Sequence, residues 1–228
     1  MRSSRQPRSW KKPSLIVTLI LLILAACQLW RQNGDPGPAL PKSNPIPQAS
    51  QAGPHPRAAQ QVGAYQLLHG AKLVRSRGND GDSFRIAWNS KEYVFRLYFV
   101  DCPETSDRFP ERIDYQADYF GIQDRRRVLA LGEQAKSFTL GLLETEPFEV
   151  FTRWEPVMNS ERFHAFVRFP LKEKGGVWLS ELLVQAGLAR IYTRPADLPD
   201  GTRKGAFQDH LRALEREANT SEMGGWKR

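Results

Sequence analysis

The stretch from Lys72 to Thr105 constrains this chain most, because it packs three β-like runs together with the turn chemistry that separates them. Lys72 to Ser76 and Asp82 to Trp88 flank Arg77-Gly78-Asn79-Asp80-Gly81, and Asn89-Ser90 divides the second run from Lys91 to Val100. Glycine, asparagine and aspartate are the residues that tight turns demand, so a meander of three antiparallel strands is expected. In the third run Tyr93, Phe95, Leu97 and Phe99 share one face by the two-residue strand period, and Val94, Arg96, Tyr98 and Val100 share the other. Arg96 is then a fixed charge in an otherwise apolar strand. Burying a guanidinium without a partner is costly, so Arg96 must meet either a carboxylate or an anionic ligand.

Carboxylates stand close by. Asp101 and Glu104 lie in Asp101-Cys102-Pro103-Glu104-Thr105, where Pro103 stops strand pairing and forces a turn. Asp82 opens the preceding strand, and in a meander the start of one strand lies beside the end of its hairpin neighbour, which brings Asp82 toward Asp101. Two carboxylates with a backbone carbonyl form a hard oxygen site suited to Ca²⁺ rather than zinc. The plainer alternative is that Asp80 and Asp82 only supply turn and cap chemistry.

Downstream, Phe148 to Arg153 and Arg162 to Phe169 read as two more strands. Helices are expected over Gly132 to Glu144, Trp178 to Ala186 with Gly187 at its end, and Phe207 to Ala218. The expected fold class is α+β, a five-stranded OB-type β-barrel with three packed helices, over residues 66–228. Between strand and first helix, 106–131 carries Tyr115, Tyr119, Phe120 and Arg125-Arg126-Arg127. Aromatics among arginines can form a platform for single-stranded nucleic acid, or Tyr115 and Tyr119 can pack one helical face beside a solvated arginine turn.

The chain ahead of this domain is an address. Arg2, Arg5, Arg8, Lys11 and Lys12 precede an apolar run, Leu15 to Ala26, broken only by Thr18 and followed by Cys27. Residues 1–30 therefore read as an export signal or a short signal anchor, and Leu24-Ala25-Ala26-Cys27 resembles a bacterial lipobox in which Cys27 would be lipidated. Residues 31–65 hold seven prolines and four glycines with few large apolar side chains, and read as a disordered linker. Both readings place the domain outside the cytoplasmic membrane, tethered or secreted, and no internal disulfide is expected for Cys102. Composition adds a warning. The net charge of +8 tempts one toward a nucleic-acid partner, but residues 1–65 supply +7 of it. The domain itself is nearly neutral, so a partner has to be argued from particular residues.

Those residues resemble the staphylococcal-nuclease-like (thermonuclease) family across about 68–228. The likeness rests on Asp80-Gly81-Asp82, on Phe95-Arg96-Leu97 leading into Val100-Asp101-Cys102-Pro103-Glu104-Thr105, on Gly132 with Ala135, Phe138 and Thr139, on Gly187-Leu188-Ala189, and on His210-Leu211-Arg212. Arg162 occupies the place of the family's second active-site arginine, Ser160 stands where the family has a base-stacking tyrosine, and 106–131 is longer than in the staphylococcal enzyme. The resemblance implies Ca²⁺ held by Asp82, Asp101 and the carbonyl of Cys102, with Glu104 as the general base and Arg96 and Arg162 on the phosphate. Tyr192 is a candidate phenol for the substrate pocket. A nuclease acting on DNA or RNA as a monomer is the expectation. A non-catalytic OB module that binds nucleic acid or protein is the main alternative, and a surface interaction protein using the fold as a scaffold is a third.

Overall fold

The computed structural model describes residues 60–158, 160–171 and 176–228. The export signal, Cys27 and nearly all of the expected linker lie outside the described residues. Within them, no helix is long and apolar enough to cross a membrane.

The fold is α+β, with four α-helices and a mixed sheet. The strands are β1 (Gln60–Val62), β2 (Tyr65–Leu68), β3 (Lys72–Leu73), β4 (Ser83–Trp88), β5 (Lys91–Leu97), β6 (Val100–Asp101), β7 (Glu149–Pro156), β8 (Arg162–Phe169), β9 (Val177–Trp178) and β10 (Arg190–Ile191). The helices are α1 (Pro110–Phe120), α2 (Arg125–Thr145), α3 (Leu179–Gln185) and α4 (Lys204–Thr220), followed by a 3₁₀ turn, Gly224–Trp226. The main sheet runs β1-β2-β7-β8-β5-β4-β3 as an open hydrogen-bonded path, and β9 joins β8 off this path. All of its pairings are antiparallel except β5 with β8. A separate two-stranded ladder joins β6 to β10.

The expected meander is present as β3-β4-β5, and the strand expected at 162–169 is β8. Three corrections have physical causes. The third strand ends at Leu97 rather than Val100, because Phe99 takes φ 69 and Val100 N–H turns back to donate to the Tyr98 carbonyl at 2.9 Å. Val100 and Asp101 then pair with β10, so Tyr98 and Phe99 both end up buried. A fourth helix, α1, occupies much of the long segment after Glu104. Pro110 opens it with a pre-set φ, and Gly121 in the left-handed region closes it by donating to the Ala117 and Asp118 carbonyls. Finally, Arg125 to Arg127 are solvated as expected but form the first turn of α2, capped by Asp124 accepting from Arg126 N–H at 2.9 Å, rather than a separate turn. At the other end of the domain, β1 and Tyr65 are folded although the sequence assigns them to the linker. Gly63, at φ 57, makes the turn that lets Val62 pair with Tyr65.

The core lies between the sheet and the helices, with Phe84, Phe95, Tyr98, Phe151, Phe166 and Leu183 fully buried. Each such side chain is worth roughly 1.5–3 kcal/mol on burial, which fixes the strands against the helices firmly enough to hold a polar cluster at their edge. Gly132 of α2 has a special place in that packing. A Cβ there would run into the backbone carbonyls of Pro103 and Glu104, so only glycine lets the turn after β6 lie on the helix. One turn on, Ala135 packs against Gly81, and Thr139 Oγ1 donates to the Gly81 carbonyl at 2.6 Å.

Candidate functional site

Register brings the predicted carboxylates together. Ser83 pairs with Arg96 across β4 and β5, so Asp82 lies at the end of β5 where the chain turns into Asp101. Arg96 Nη2 lies 3.2 Å from Asp82 Oδ2 and 2.5 Å from Asp101 Oδ1. The strand arginine thus has the carboxylate partners its burial requires. Asp82 is buried, and both polar contacts of its side chain among the described residues fall on Oδ2, the other being Cys102 N–H at 2.8 Å. Asp80, by contrast, serves its own turn by accepting from Gly81 N–H at 2.8 Å. The turn-chemistry reading therefore holds for Asp80, while Asp82 spans to the next strand.

Burial pushes the Asp82 carboxyl up to about 6, opposed by Arg96 and reinforced by Asp101 and Asp80. Burial also raises Asp80 and Glu104, each of which repels neighbouring carboxylates. Arg112 counteracts the shift at Glu104. Burial is the leading cause at all three, so the site keeps carboxylates where their ionisation is opposed, a condition found at centres that bind cations or move protons.

The helix missed from sequence completes the wall. Arg112 Nη2 bridges Glu104 Oε1 at 2.9 Å and Asp101 Oδ1 at 3.2 Å. One turn along α1, the buried Gln116 donates to Asp101 Oδ2 and to the Cys102 carbonyl, both at 3.2 Å, and accepts from Glu104 N–H at 2.9 Å. Arg190 of β10, register partner of Asp101, donates from Nε to Asp101 Oδ2 at 2.8 Å. The signal for Arg112 and Gln116 was present as a four-residue spacing on an amphipathic helix opened by proline. Nothing local marked Arg190.

Arg162 stands at the head of β8, paired in register with Val94. Its Nε and backbone N–H approach Ser160 Oγ at 3.3 and 3.4 Å, and it has no carboxylate partner among the described residues. Burial, then repulsion from Arg96, lowers its proton affinity, which places it in the same electrostatic neighbourhood. Tyr192 follows β10 with its ring beneath the Arg190 guanidinium, whose Cζ lies 4.1 Å from the ring centroid. At 69% exposure it is a surface ring and not the lining of an enclosed pocket. The two helical tyrosines part company. Tyr119 packs against Phe120 and Trp226 and hydrogen-bonds Glu215, whereas Tyr115 is 67% exposed.

The donor set suits a hard divalent cation. Asp82, Asp101 and the Cys102 carbonyl offer only oxygen, and that carbonyl keeps a second lone pair beside the one Gln116 uses. Cys102 is buried against Gly81 with its thiol pKa raised well above the ordinary value by burial, so it remains a thiol and offers no soft ligand. Among the described residues no three acidic, histidine or cysteine side chains are gathered as a ready cage, and Arg96 and Arg112 stand between the carboxylates. No family model matches this chain and no curated protein matches it either, so the functional reading stands on the geometry and sequence of this cluster.

Proposed function

We propose that this chain is an exported, membrane-tethered nuclease of the staphylococcal-nuclease-like type that uses Ca²⁺ to hydrolyse phosphodiester bonds of DNA or RNA. The observation that carries the proposal is an anionic cluster, Asp82, Asp101 and Glu104, beside Arg162, which stands on the strand adjoining that of Arg96 and has no carboxylate partner among the described residues. A phosphodiester is anionic and resists attack, so a site that hydrolyses it needs positive charge on the phosphate and a carboxylate beside the attacking water. Arg162 supplies the first through a planar fork that matches two phosphate oxygens. Arg96, anchored from behind by Asp82 and Asp101, supports the same phosphate as charge builds on it. Glu104, half-buried at the turn, accepts the proton of the water. Asp82, Asp101 and the Cys102 carbonyl would hold Ca²⁺, which when bound supplies charge neutralisation next to the phosphate.

Two features support the barrel expected for this type. The open sheet path has β2 and β3 near its two ends, and those strands are parts of one stretch, 65–73, separated by three residues around Gly70 at φ 70. The parallel joint between β5 and β8 brings the Arg96 and Arg162 strands side by side. Export and tethering rest on the basic flank, the apolar run and Cys27 of the sequence.

A second reading, a non-catalytic OB module for nucleic acid or protein, is favoured by one observation: Glu104 and Asp101 already have arginine partners. Glu104→Gln separates the two. The nuclease reading expects this variant to retain oligonucleotide binding and to lose cleavage by about 10³-fold, within the usual range for removing a general base. Equal cleavage by Glu104→Gln and the parent chain would sink the mechanism.

A further inference from the structure

Three arginines hold Asp101, and they are not equivalent. Arg96 and Arg190 reach it from the sheet with side chains only 11% and 7% exposed, while Arg112 reaches it from α1 with 44% of its side chain exposed. Asp101 therefore keeps two buried partners whatever Arg112 does. Arg112 is also the arginine that touches Glu104. Its Nη2 lies at once on Glu104 Oε1 and on Asp101 Oδ1, and the second of these is a carboxylate for which a divalent cation would also compete. The helix beneath it is held independently, because the buried Gln116 ties α1 to Asp101, Cys102 and Glu104 by three hydrogen bonds. The side chain can move while the helix stays. An alternative partner would have a place to bind. Arg96 and Arg112 share Asp101 Oδ1, and Arg162 stands two register positions from Arg96 on the adjoining strand with no carboxylate partner among the described residues, so an anion placed there would meet three guanidiniums.

We propose that Arg112 is an exchangeable counter-cation of this site: it occupies oxygens of Asp101 and Glu104 until a divalent cation displaces it, and it then pairs with phosphate oxygens of a polynucleotide. The identity of the anion rests on the nuclease reading, whereas the competition with the cation does not. Arg112 thereby couples the two ligands. Binding Ca²⁺ costs the ion pairs of Arg112, and the freed guanidinium returns part of that cost when the phosphate arrives. Arg112 is a residue of the inserted helix, so this coupling is a property of that helix and not of the strand arginines.

The test titrates Ca²⁺ calorimetrically into the full chain and into its Arg112→Gln, Arg112→Ala and Arg112→Lys variants, with a thermal melt as the folding control, and then measures KM and kcat on a thymidine oligonucleotide. Either neutral variant should bind Ca²⁺ about ten-fold more tightly and show a KM about ten-fold higher, with kcat changed less than KM. Arg112→Lys retains the charge and should return both values toward the parent. A folded neutral variant whose Ca²⁺ affinity is unchanged or weaker overturns the exchange, whether or not the chain cleaves. Tighter Ca²⁺ binding by the neutral variants, in a chain that cleaves nothing, supports the exchange and overturns the nuclease reading. Absence of Ca²⁺ binding by the parent chain and every variant overturns both.

Discussion

Arg96 on β5 and His164 on β8 are register partners, and each belongs to a polar cluster built on an opposite plan. Around His164 the opposite charges are paired off, although His164 Nδ1 and Arg153 Nε are buried without a hydrogen-bond partner among the described residues. Tyr98 donates to Glu155 at 2.6 Å, Arg153 pairs with the same carboxylate at 2.9 Å, and the His164 ring stacks on Tyr98 at 4.9 Å between centroids. Burial pushes the His164 pKa down to about 4, with Arg194 adding to the shift, so the ring is neutral near pH 7. Around Arg96 the charges are close but not settled: Asp82 is pushed up to about 6, Arg112 is half in solvent, and Arg162 lacks a carboxylate among the described residues. A matched cluster stabilises a fold, whereas an unsettled one retains free energy that a ligand can release. The same sheet therefore carries a settled polar group and an unsettled one a strand apart.

The sharpest way to break this contrast is to delete the two arginines of the site separately. Arg96→Ala leaves Asp82 buried without its ion pair and should cost about 3–5 kcal/mol in a denaturant melt. Arg162→Ala should change stability by less than about 0.5 kcal/mol while lowering cleavage on the order of 100-fold. Equal stability losses would mean that Arg162 is as structural as Arg96.

The His164 cluster makes its own prediction through pH. Its folded pKa lies below the ordinary 6.5, so between about 6.5 and 4 the unfolded chain binds the extra proton. The stabilisation is fully present above pH 6.5 and is lost as pH falls toward 4, by at most about 3 kcal/mol. Asp82 has the opposite sign in an overlapping window: its folded pKa lies above 3.8, so its contribution is present at low pH and is lost as pH rises toward 6. Comparing melts of the parent chain and His164→Asn from pH 4 to 7 isolates the histidine. An unchanged slope in the variant would show that His164 is not held neutral. A smaller effect is expected from Gly132→Ala, which should cost about 1–3 kcal/mol and slow cleavage, because the turn carrying Glu104 must lift from α2. A normal melting temperature with full activity would show that the turn is not seated there. Smallest is Tyr192→Ala, about 0.5–1 kcal/mol from the lost stacking on Arg190, read by thermal melt.

Strand order near the site was legible because the turn residues 77–81 and 89–90 leave little freedom in pairing, and the hairpin register then brings Asp82 toward Asp101, while the contact of Asp82 with Arg96 comes from the structure. The glycine and alanine of α2 were legible as a pattern, while their reason is tertiary: Gly132 and Ala135 are small because the 103–104 turn and Gly81 press on them. The break in the third strand was not legible. Tyr98, Phe99 and Val100 all have strand-forming side chains, and the positive φ of Phe99 goes with long-range bonds, Val100 pairing with Ile191 and the Phe99 backbone bonding to Tyr192, Thr193 and Arg194. Arg190 shows the same limit. It becomes part of the site through a partner 89 positions away, and no local spacing encodes that distance.

The proposed hydrolysis at the Arg96 cluster can be read without any variant. The most direct measurement incubates the full chain with single-stranded DNA, double-stranded DNA and RNA, in Ca²⁺ and in chelator, and resolves the products on a denaturing gel. Cleavage of at least one substrate that appears with Ca²⁺ and disappears with chelator is the predicted result. Intact substrate in every lane, from a chain with a cooperative thermal melt, would contradict the claim and leave Asp82, Asp101 and Glu104 as parts of an ion-pair network that only holds the fold.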